Sequence, residues 1–211
     1  MWYFYVLVGV IGYLLGGINF ATLFAKLNKK NIRDMGSGNP GTMNVMRNLG
    51  AKWGALTFVC DGLKGAIPAL LGNYLLGAEG LYCGGLSSVV GHCYPIYTKF
   101  KGGKGVATSI GVFVVANPLW SLIAFGILIV VLLVSEYSSL SSMTFVTVLV
   151  VEQGVEFMGK NLAVSIMLFA IWLLVVFGHR KNIANLIAGK ERKSRILKVL
   201  SKIKKKEGKE E

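Results

Sequence analysis

The sequence predicts an all-α integral membrane protein with seven transmembrane helices, the N-terminus outside and the C-terminus inside. Three observations carry that expectation. Of 211 residues, 54% are apolar and only 16% are charged, with a mean hydropathy of +0.59; a soluble domain of this size needs more charge to cover its surface. The apolar residues lie in long blocks without period-2 alternation or a narrow 3.6-residue stripe, the pattern of helices apolar all round. The net charge of +13 is concentrated between Lys26 and Lys52 and from Arg180 onward. Those stretches flank hydrophobic blocks, as cytoplasmic segments do under the positive-inside rule.

A helix needs roughly 20 apolar residues to cross the hydrocarbon core. Segments 2–25, 53–77, 81–98, 119–135, 138–152 and 161–178 qualify as spans. The stretch 105–117 is apolar but has only 13 residues, and Asn117-Pro118 ends it, a helix-boundary signal. The 26–52 loop, the region of Lys99, Lys101 and Lys104, and the tail are basic, whereas Glu79, Asn117 and Glu152 with Glu156 mark acidic or uncharged connections. Placing both 104 and 179 inside demands an even number of crossings between them. Counting 105–117 as a short span satisfies this; a re-entrant 105–117 needs another break, around 136–158.

The same distribution argues against a nucleic-acid partner, since no nucleic-acid-binding fold signal accompanies the charge. Cys60, Cys83 and Cys93 are odd in number, lie in apolar stretches and lack metal-ligand spacing, so free buried thiols are expected, without disulfides or a metal. Residues 1–25 have no basic leader or small-residue cleavage site and read as a retained first span.

Polar motifs interrupt this background. Gly36-Ser37-Gly38-Asn39 leads through Pro40, Asn44 and Arg47 into a helical pattern. Glycines allow close backbone approach, and Ser and Asn supply hydrogen bonds; beside a membrane and a cation, oxyanion binding competes with a plain loop. His92 to Thr108 contains Lys101-Gly102-Gly103-Lys104-Gly105 at the start of an apolar helical stretch. Unpaired amides and the dipole at such an N-terminus favour anions, and lysine adds a point charge. No G-x-x-x-x-G-K-[ST] loop occurs, which excludes a P-loop ATPase. His179 and Asn182 lie three apart where the last span continues toward the tail and share a helix face. His179 reads as a base, a phosphate donor or an interfacial polar residue, the last being the commoner role of a lone histidine. Asp61 and Lys64, also three apart, sit inside a span; a structural ion pair and a substrate contact are equally open. Ser138, Ser139, Ser141 and Ser142 are accounted for by close helix packing.

Taken in order, Gly36-Ser37-Gly38-Asn39 through Arg47, Asp61-Gly62-Leu63-Lys64-Gly65, His92 through Thr108, and His179 through Ile183 followed by Gly189-Lys190-Glu191 resemble the motifs of the PlsY-type acyl-phosphate:glycerol-3-phosphate acyltransferases. The phrase Phe100 to Thr108 is the most specific element. The resemblance implies a bacterial inner-membrane enzyme whose active site faces the cytoplasm. It would acylate the 1-hydroxyl of sn-glycerol 3-phosphate from acyl phosphate, releasing phosphate and lysophosphatidic acid, with no cofactor. Residues 1–189 would form the acyltransferase domain and 190–211 a basic cytoplasmic tail on the anionic leaflet. Ser37, Arg47, Lys104, His179 and Asn182 match catalytic positions. Gly36, Gly38, Asn39, Asn44, Lys64, His92, Lys101, Gly102, Gly103, Gly105 and Thr108 fall in substrate-binding motifs, and Glu191 matches a supporting position. Gly17, Met43, Glu136, Lys181 and Asn185 depart from the usual pattern.

Neither histidine is followed by Asp five residues on, so the His-x-x-x-x-Asp base of other glycerolipid acyltransferases is absent. Lys104, Arg47 and the glycine amides are expected to bind two phosphates, and Ser37 to donate to an oxyanion rather than carry an acyl group, because no base adjoins it. A transporter would place polar groups at the midplane and show internal repeats; here the motifs gather at one face and no repeat is evident. A lipid-binding scaffold is the third class.

Overall fold

The computed structural model describes residues 2–194. Among them no strand occurs; the elements are α1 (Trp2–Gly17), α2 (Phe20–Leu27), α3 (Thr42–Leu49), α4 (Ala51–Cys93), α5 (Val106–Ala116), α6 (Pro118–Ser135), α7 (Ser138–Phe157), α8 (Leu162–Gly178) and α9 (Arg180–Ile187), with short 3-10 turns at Ile32–Asp34 and Ile96–Thr98. Four stretches are long and apolar enough to cross a membrane, namely Trp2–Leu27, Ala51–Thr98, Pro118–Ser135 and Ser138–Phe157, and α8 with α9 makes a fifth if that bent pair is one span. Their outward faces are apolar: Leu122, Val134 and Leu162 are among many large exposed hydrophobic side chains. Water would oppose such a surface, whereas hydrocarbon accepts it.

The longest element, α4, is not one rod. Gly77 adopts φ 65°, ψ −149°, a combination open to glycine, and the chain reverses there. Gly72 packs on Gly80, Gly84 on the carbonyl of Pro68, and Ser88 Oγ donates to Lys64 O at 2.6 Å. Those pairs are in antiparallel register, so the two arms lie side by side. A Cβ on Gly72 would overlap the Gly80 carbonyl, which is why the seam is glycine; small residues permit the close backbone approach that drives helix association in lipid. The same device seats α1 on the second arm, where a Cβ on Gly12 would meet Gly84 O at 2.6 Å. It also seats α5 on the first arm, through Gly111 against Gly62 O. Phe113, Phe145, Leu149, Leu168, Ile171 and Val175 form the buried core between α5, α7 and α8.

Polar contacts define two ends of the bundle. At one, Glu79 accepts from Tyr5 Oη at 2.6 Å and Asn161 Nδ2 at 2.9 Å. Toward that end Asn117 Nδ2 donates to Glu152 Oε1 at 3.2 Å. The other end carries the 28–50 segment, the 94–105 loop, the α6–α7 turn and α9. The 11 residues of α5 rise about 16 Å from the second end toward the Asn117–Glu152 layer.

Several sequence-derived boundaries shift. The first span breaks at Ile18-Asn19, where Asn19 Oδ1 caps Thr22 N at 2.8 Å. The span read as 81–98 ends as helix at Cys93, and 138–152 extends to Phe157. Glu152 and Glu156 are thus helical residues, not a connection; Gln153 Nε2 donates to both, satisfying them within the helix surface. The chain after His179 does not continue α8, because α9 bends away by 57°. Most of the expected basic tail, 195–211, lies outside the described residues.

Candidate active site

The 94–105 loop shows how the glycines are used. Gly102 N donates to Cys93 O at 3.1 Å and Gly103 N to His92 O at 3.0 Å. These bonds satisfy carbonyls at the C-terminal end of α4 that have no helical partner. The amides of Gly102 and Gly103 are therefore already engaged, which narrows the expected phosphate cradle to the amides beyond them. Glycine is needed at both because a Cβ would strike the His92 and Cys93 carbonyls or the His92 ring. Gly105 turns the chain with φ 83° and starts α5, leaving the first-turn amides of that helix pointing at the loop. Thr108, within that turn, is fully buried, and its Oγ1 has no partner among the described residues.

Arg33 Nη2 donates to Lys101 O, which also accepts from Thr98 Oγ1 at 2.7 Å. This ties the first polar loop to the glycine loop and leaves the Lys101 side chain exposed. In the first loop, Gly36 and Gly38 have φ of 59° and 68°, and Asn44 forms the scaffold beneath. Its Oδ1 accepts from Ser37 N at 3.1 Å, and its Nδ2 donates to Ile32 O at 3.2 Å and Met35 O at 2.9 Å. Asn44 is spent on shaping the loop. Ser37 is exposed, its Oγ 3.4 Å from Asn39 N.

The central network joins four elements. Lys104 Nζ donates to Asn182 Oδ1 at 2.5 Å, Asn182 Nδ2 donates to Glu191 Oε1 at 2.7 Å, and Ser139 Oγ donates to the same oxygen at 2.6 Å. Lys104 comes from the loop, Asn182 from α9, Ser139 from α7 and Glu191 from the segment beyond α9. Burial pulls the Lys104 ammonium below the usual lysine range; Glu191 opposes this and Arg47 reinforces it. A cation held that way gains from an incoming anion. Burial alone would raise the Glu191 carboxyl, but the donors Ser139, Asn182 and Asn185 together with the charge of Lys104 outweigh it and hold it below the usual range.

The bend at His179 turns its ring inward. His179 is 3% exposed, and its Nδ1 lies 2.8 Å from Val175 O. A carbonyl only accepts, so Nδ1 carries the proton and Nε2 presents its lone pair. Burial first, then the charge of Lys104, lowers its pKa to about 4; the neutral imidazole prevails at pH 7.

Two expected site residues lie deeper. Lys64 Nζ pairs with Asp61 Oδ1 at 2.8 Å and donates to Ile18 O at 2.6 Å. The ammonium thus closes the break between α1 and α2, which favours the structural reading of this pair over substrate contact. His92 is buried with Nδ1 3.8 Å from Asp61 and supports Gly103 from below. Sequence reasoning missed Ser139, assigned there to packing alone; a serine cluster opening a span beside the basic polar motifs was the available signal.

Among the described residues no group of His, Cys, Asp and Glu is arranged to hold a metal. The fold and this constellation define a polytopic membrane protein with a cation-rich, anion-suited site at one end of its bundle. Comparison narrows the class. The glycerol-3-phosphate acyltransferase family profile matches residues 6–189, and the chain belongs to that family. A glycerol-3-phosphate acyltransferase of Thermoanaerobacter sp. (strain X514) is 41% identical over 189 residues, covering 89% of this chain and 94% of the relative. One from Aquifex aeolicus (strain VF5) is 41% identical over 184 residues, covering 86% and 95%. The crystal structure of PlsY (YgiH), an integral membrane glycerol 3-phosphate acyltransferase, in its glycerol 3-phosphate form superposes with a TM-score of 0.87 at 39% identity, covering 93% of this chain and 98% of that one. Its lysophosphatidic acid form gives 0.82 at 39% identity, covering 90% and 94%.

Proposed function

We propose that this protein transfers a fatty acyl group from acyl phosphate to the 1-hydroxyl of sn-glycerol 3-phosphate, yielding lysophosphatidic acid and inorganic phosphate. The observation that carries this reading is the Lys104–Asn182–Glu191–Ser139 network, with Arg47 and His179 close enough to Lys104 to perturb it or be perturbed by it. Family membership supplies the acceptor, and the surplus of cations suits a reaction with two phosphorylated substrates.

Acyl phosphate is a mixed anhydride, so the donor is already activated. The acceptor hydroxyl oxygen attacks the acyl carbon, a C–O ester bond forms, and the acyl C–O bond to phosphate breaks with the electron pair leaving on phosphate. The hydroxyl proton passes to the departing phosphate, which leaves as hydrogen phosphate; a developing phosphate oxyanion is a stronger base than an imidazole with a pKa of about 4. His179 then serves through its Nε2 lone pair, orienting the hydroxyl. Lys104, Arg47 and the first-turn amides of α5 stabilise charge developing on phosphate and carbonyl oxygens, the type of interaction that commonly dominates catalysis. Ser37 is exposed and its Oγ has no hydrogen bond to a basic side chain among the described residues, which suits donation to an oxyanion. Asn39, Gly36 and Gly38 would shape the first loop around substrate, and Asn44, Lys64, His92, Gly102, Gly103, Gly105 and Thr108 would act by holding the loops in register.

Counting α1 with α2, the two arms of α4, and α5, α6, α7 and α8 gives seven crossings. With the basic loops inside, the N-terminus faces out and the site faces the cytoplasm of a bacterial inner membrane. The test is direct: purified protein in detergent, supplied with palmitoyl phosphate and glycerol 3-phosphate, should release phosphate and form lysophosphatidic acid in equal amounts. Phosphate release without the lipid product, or no turnover, would overturn the reading.

A further inference from the structure

Away from the Lys104 network, an open groove of about 920 Å³ runs along the surface of α7, with Trp120 of α6 beside it. From Leu140 to Glu156, both of which line it, the helix rises about 24 Å. One leaflet supplies half of a hydrocarbon core roughly 30 Å thick, so the groove is longer than a leaflet is deep. Its middle reach is apolar, with Val148 and Val151. The two hydroxyls there are engaged within the bundle. Thr144 Oγ1 donates to Leu140 O at 3.0 Å, and Thr147 Oγ1 accepts from Trp172 Nε1 at 3.0 Å.

The end far from Lys104 is different. Glu152 and Glu156 are four apart on α7 and both line the groove. Like charges at that spacing repel, and adjoining hydrocarbon raises the cost of each. Gln153 Nε2 donates to both carboxylates and Asn117 Nδ2 to Glu152 Oε1, but these neutral donors leave the two charges uncompensated. Among the described residues neither carboxylate has an ion-pair partner; Lys160, the next cation along the chain, is exposed. Asn117 also sets the aromatic side of this mouth, since its Oδ1 accepts from Trp120 N at 3.2 Å. Trp120 is 39% exposed. An indole and two carboxylates around one mouth suit an organic ammonium, through cation–π attraction and charge-assisted N–H bonds. A second copy of this chain would bring Glu79, Glu152 and Glu156 to the same level, setting carboxylates against carboxylates. A lipid matches both parts of the groove, with a chain for the apolar reach and a headgroup cation for the mouth.

We infer that the α7 groove seats an aminophospholipid of the leaflet opposite the Lys104 network, its acyl chain against Val148 and Val151 and its primary ammonium between Glu152 and Glu156.

The test uses the full chain in detergent micelles, supplemented with phosphatidylethanolamine or with phosphatidylcholine of the same acyl chains. Both carry the same phosphate, so only the ammonium differs, and thermal unfolding reads binding independently of turnover. Phosphatidylethanolamine should protect wild type at about tenfold lower concentration, the worth of one charge-assisted N–H bond. Glu156→Gln, at an exposed position, should erase that preference and leave phosphate release from palmitoyl phosphate unchanged. Trp120→Leu should weaken protection about threefold. Val151→Trp, also at an exposed position, fills the groove and should abolish protection. Equal protection of wild type by the two lipids, or a preference that survives both Glu156→Gln and Val151→Trp, overturns the inference. A Val151→Trp protein altered only in its chain-length dependence on acyl phosphates also overturns it, because the groove then holds the donor's tail. So does a wild-type dimer that Val151→Trp converts to monomer. An inactive protein that still prefers phosphatidylethanolamine defeats the proposed acyl transfer and leaves this lipid site standing.

Discussion

Removing the Glu191 carboxylate should weaken catalysis without unfolding the protein. Glu191 Oε1 receives Ser139 Oγ at 2.6 Å and Asn182 Nδ2 at 2.7 Å, and Asn182 Oδ1 receives Lys104 Nζ at 2.5 Å. Asn182 has one donor group and one acceptor group, so anchoring the donor to Glu191 fixes which side faces Lys104. In Glu191→Ala the amide can rotate and Lys104 loses its placement. A charge-assisted hydrogen bond contributes about 1.5–3 kcal/mol; Glu191 is only partly buried, so solvent screening favours the low end. A loss of about 1.5–2 kcal/mol of transition-state stabilisation corresponds to a roughly 10–30-fold fall in kcat/KM. Glu191→Gln keeps an acceptor oxygen and should lose only about threefold. Phosphate release would be followed across substrate concentrations, with thermal unfolding as the folding control. Wild-type kcat/KM in a folded Glu191→Ala protein would refute the reasoning, because Asn182 would then need no anchor.

Other consequences are equally open to measurement. In the folded state the pKa of His179 is lowered from 6.5 to about 4, so on acidification the unfolded chain takes up this proton first. Stability is therefore retained above pH 6.5 and lost as pH falls toward 4, by about 2 kcal/mol at pH 5; His179→Asn should flatten that part of a melting-temperature profile. Asp61→Asn strands the Lys64 charge, which is 4% exposed and bonded otherwise to Ile18 O, at a cost of about 3–5 kcal/mol. Thermal unfolding in detergent should show this, and Asp61→Leu combined with Lys64→Met should recover part of the loss. Gly72→Val forces a branched side chain against the Gly80 backbone and should abolish a monodisperse detergent-solubilised protein; a normal chromatographic profile would contradict the hairpin at Gly77. Cysteines at positions 37, 104 and 182, in a background without Cys60, Cys83 and Cys93, should react with impermeant reagents from the cytoplasmic side only, and one at 161 from the opposite side only.

Much of this was legible without coordinates because lipid simplifies the code. Apolar blocks must become helices when no water is present to bond the backbone, so the spans, the polar face and the motif loops follow from composition and order. What a linear reading could not supply is where each polar atom goes. Asn44 and Lys64 look like ligand groups by residue type, yet their donors are taken by Ile32, Met35 and Ile18 carbonyls. Ser139 looks like packing, yet it anchors Glu191 across 52 positions of sequence. Glu136, a departure from the usual pattern, makes sense once Lys193 and Ser194 are seen folded onto it.

The sequence by itself determined the helical membrane class, the polar motifs and the cations that an anionic substrate requires, because hydropathy and residue chemistry are local properties. Only the tertiary structure decided the reversal at Gly77, the bend at His179, and which glycine amides are already bonded. Those depend on partners distant in the chain, and a buried donor or acceptor reveals its role only when the atom it satisfies is known.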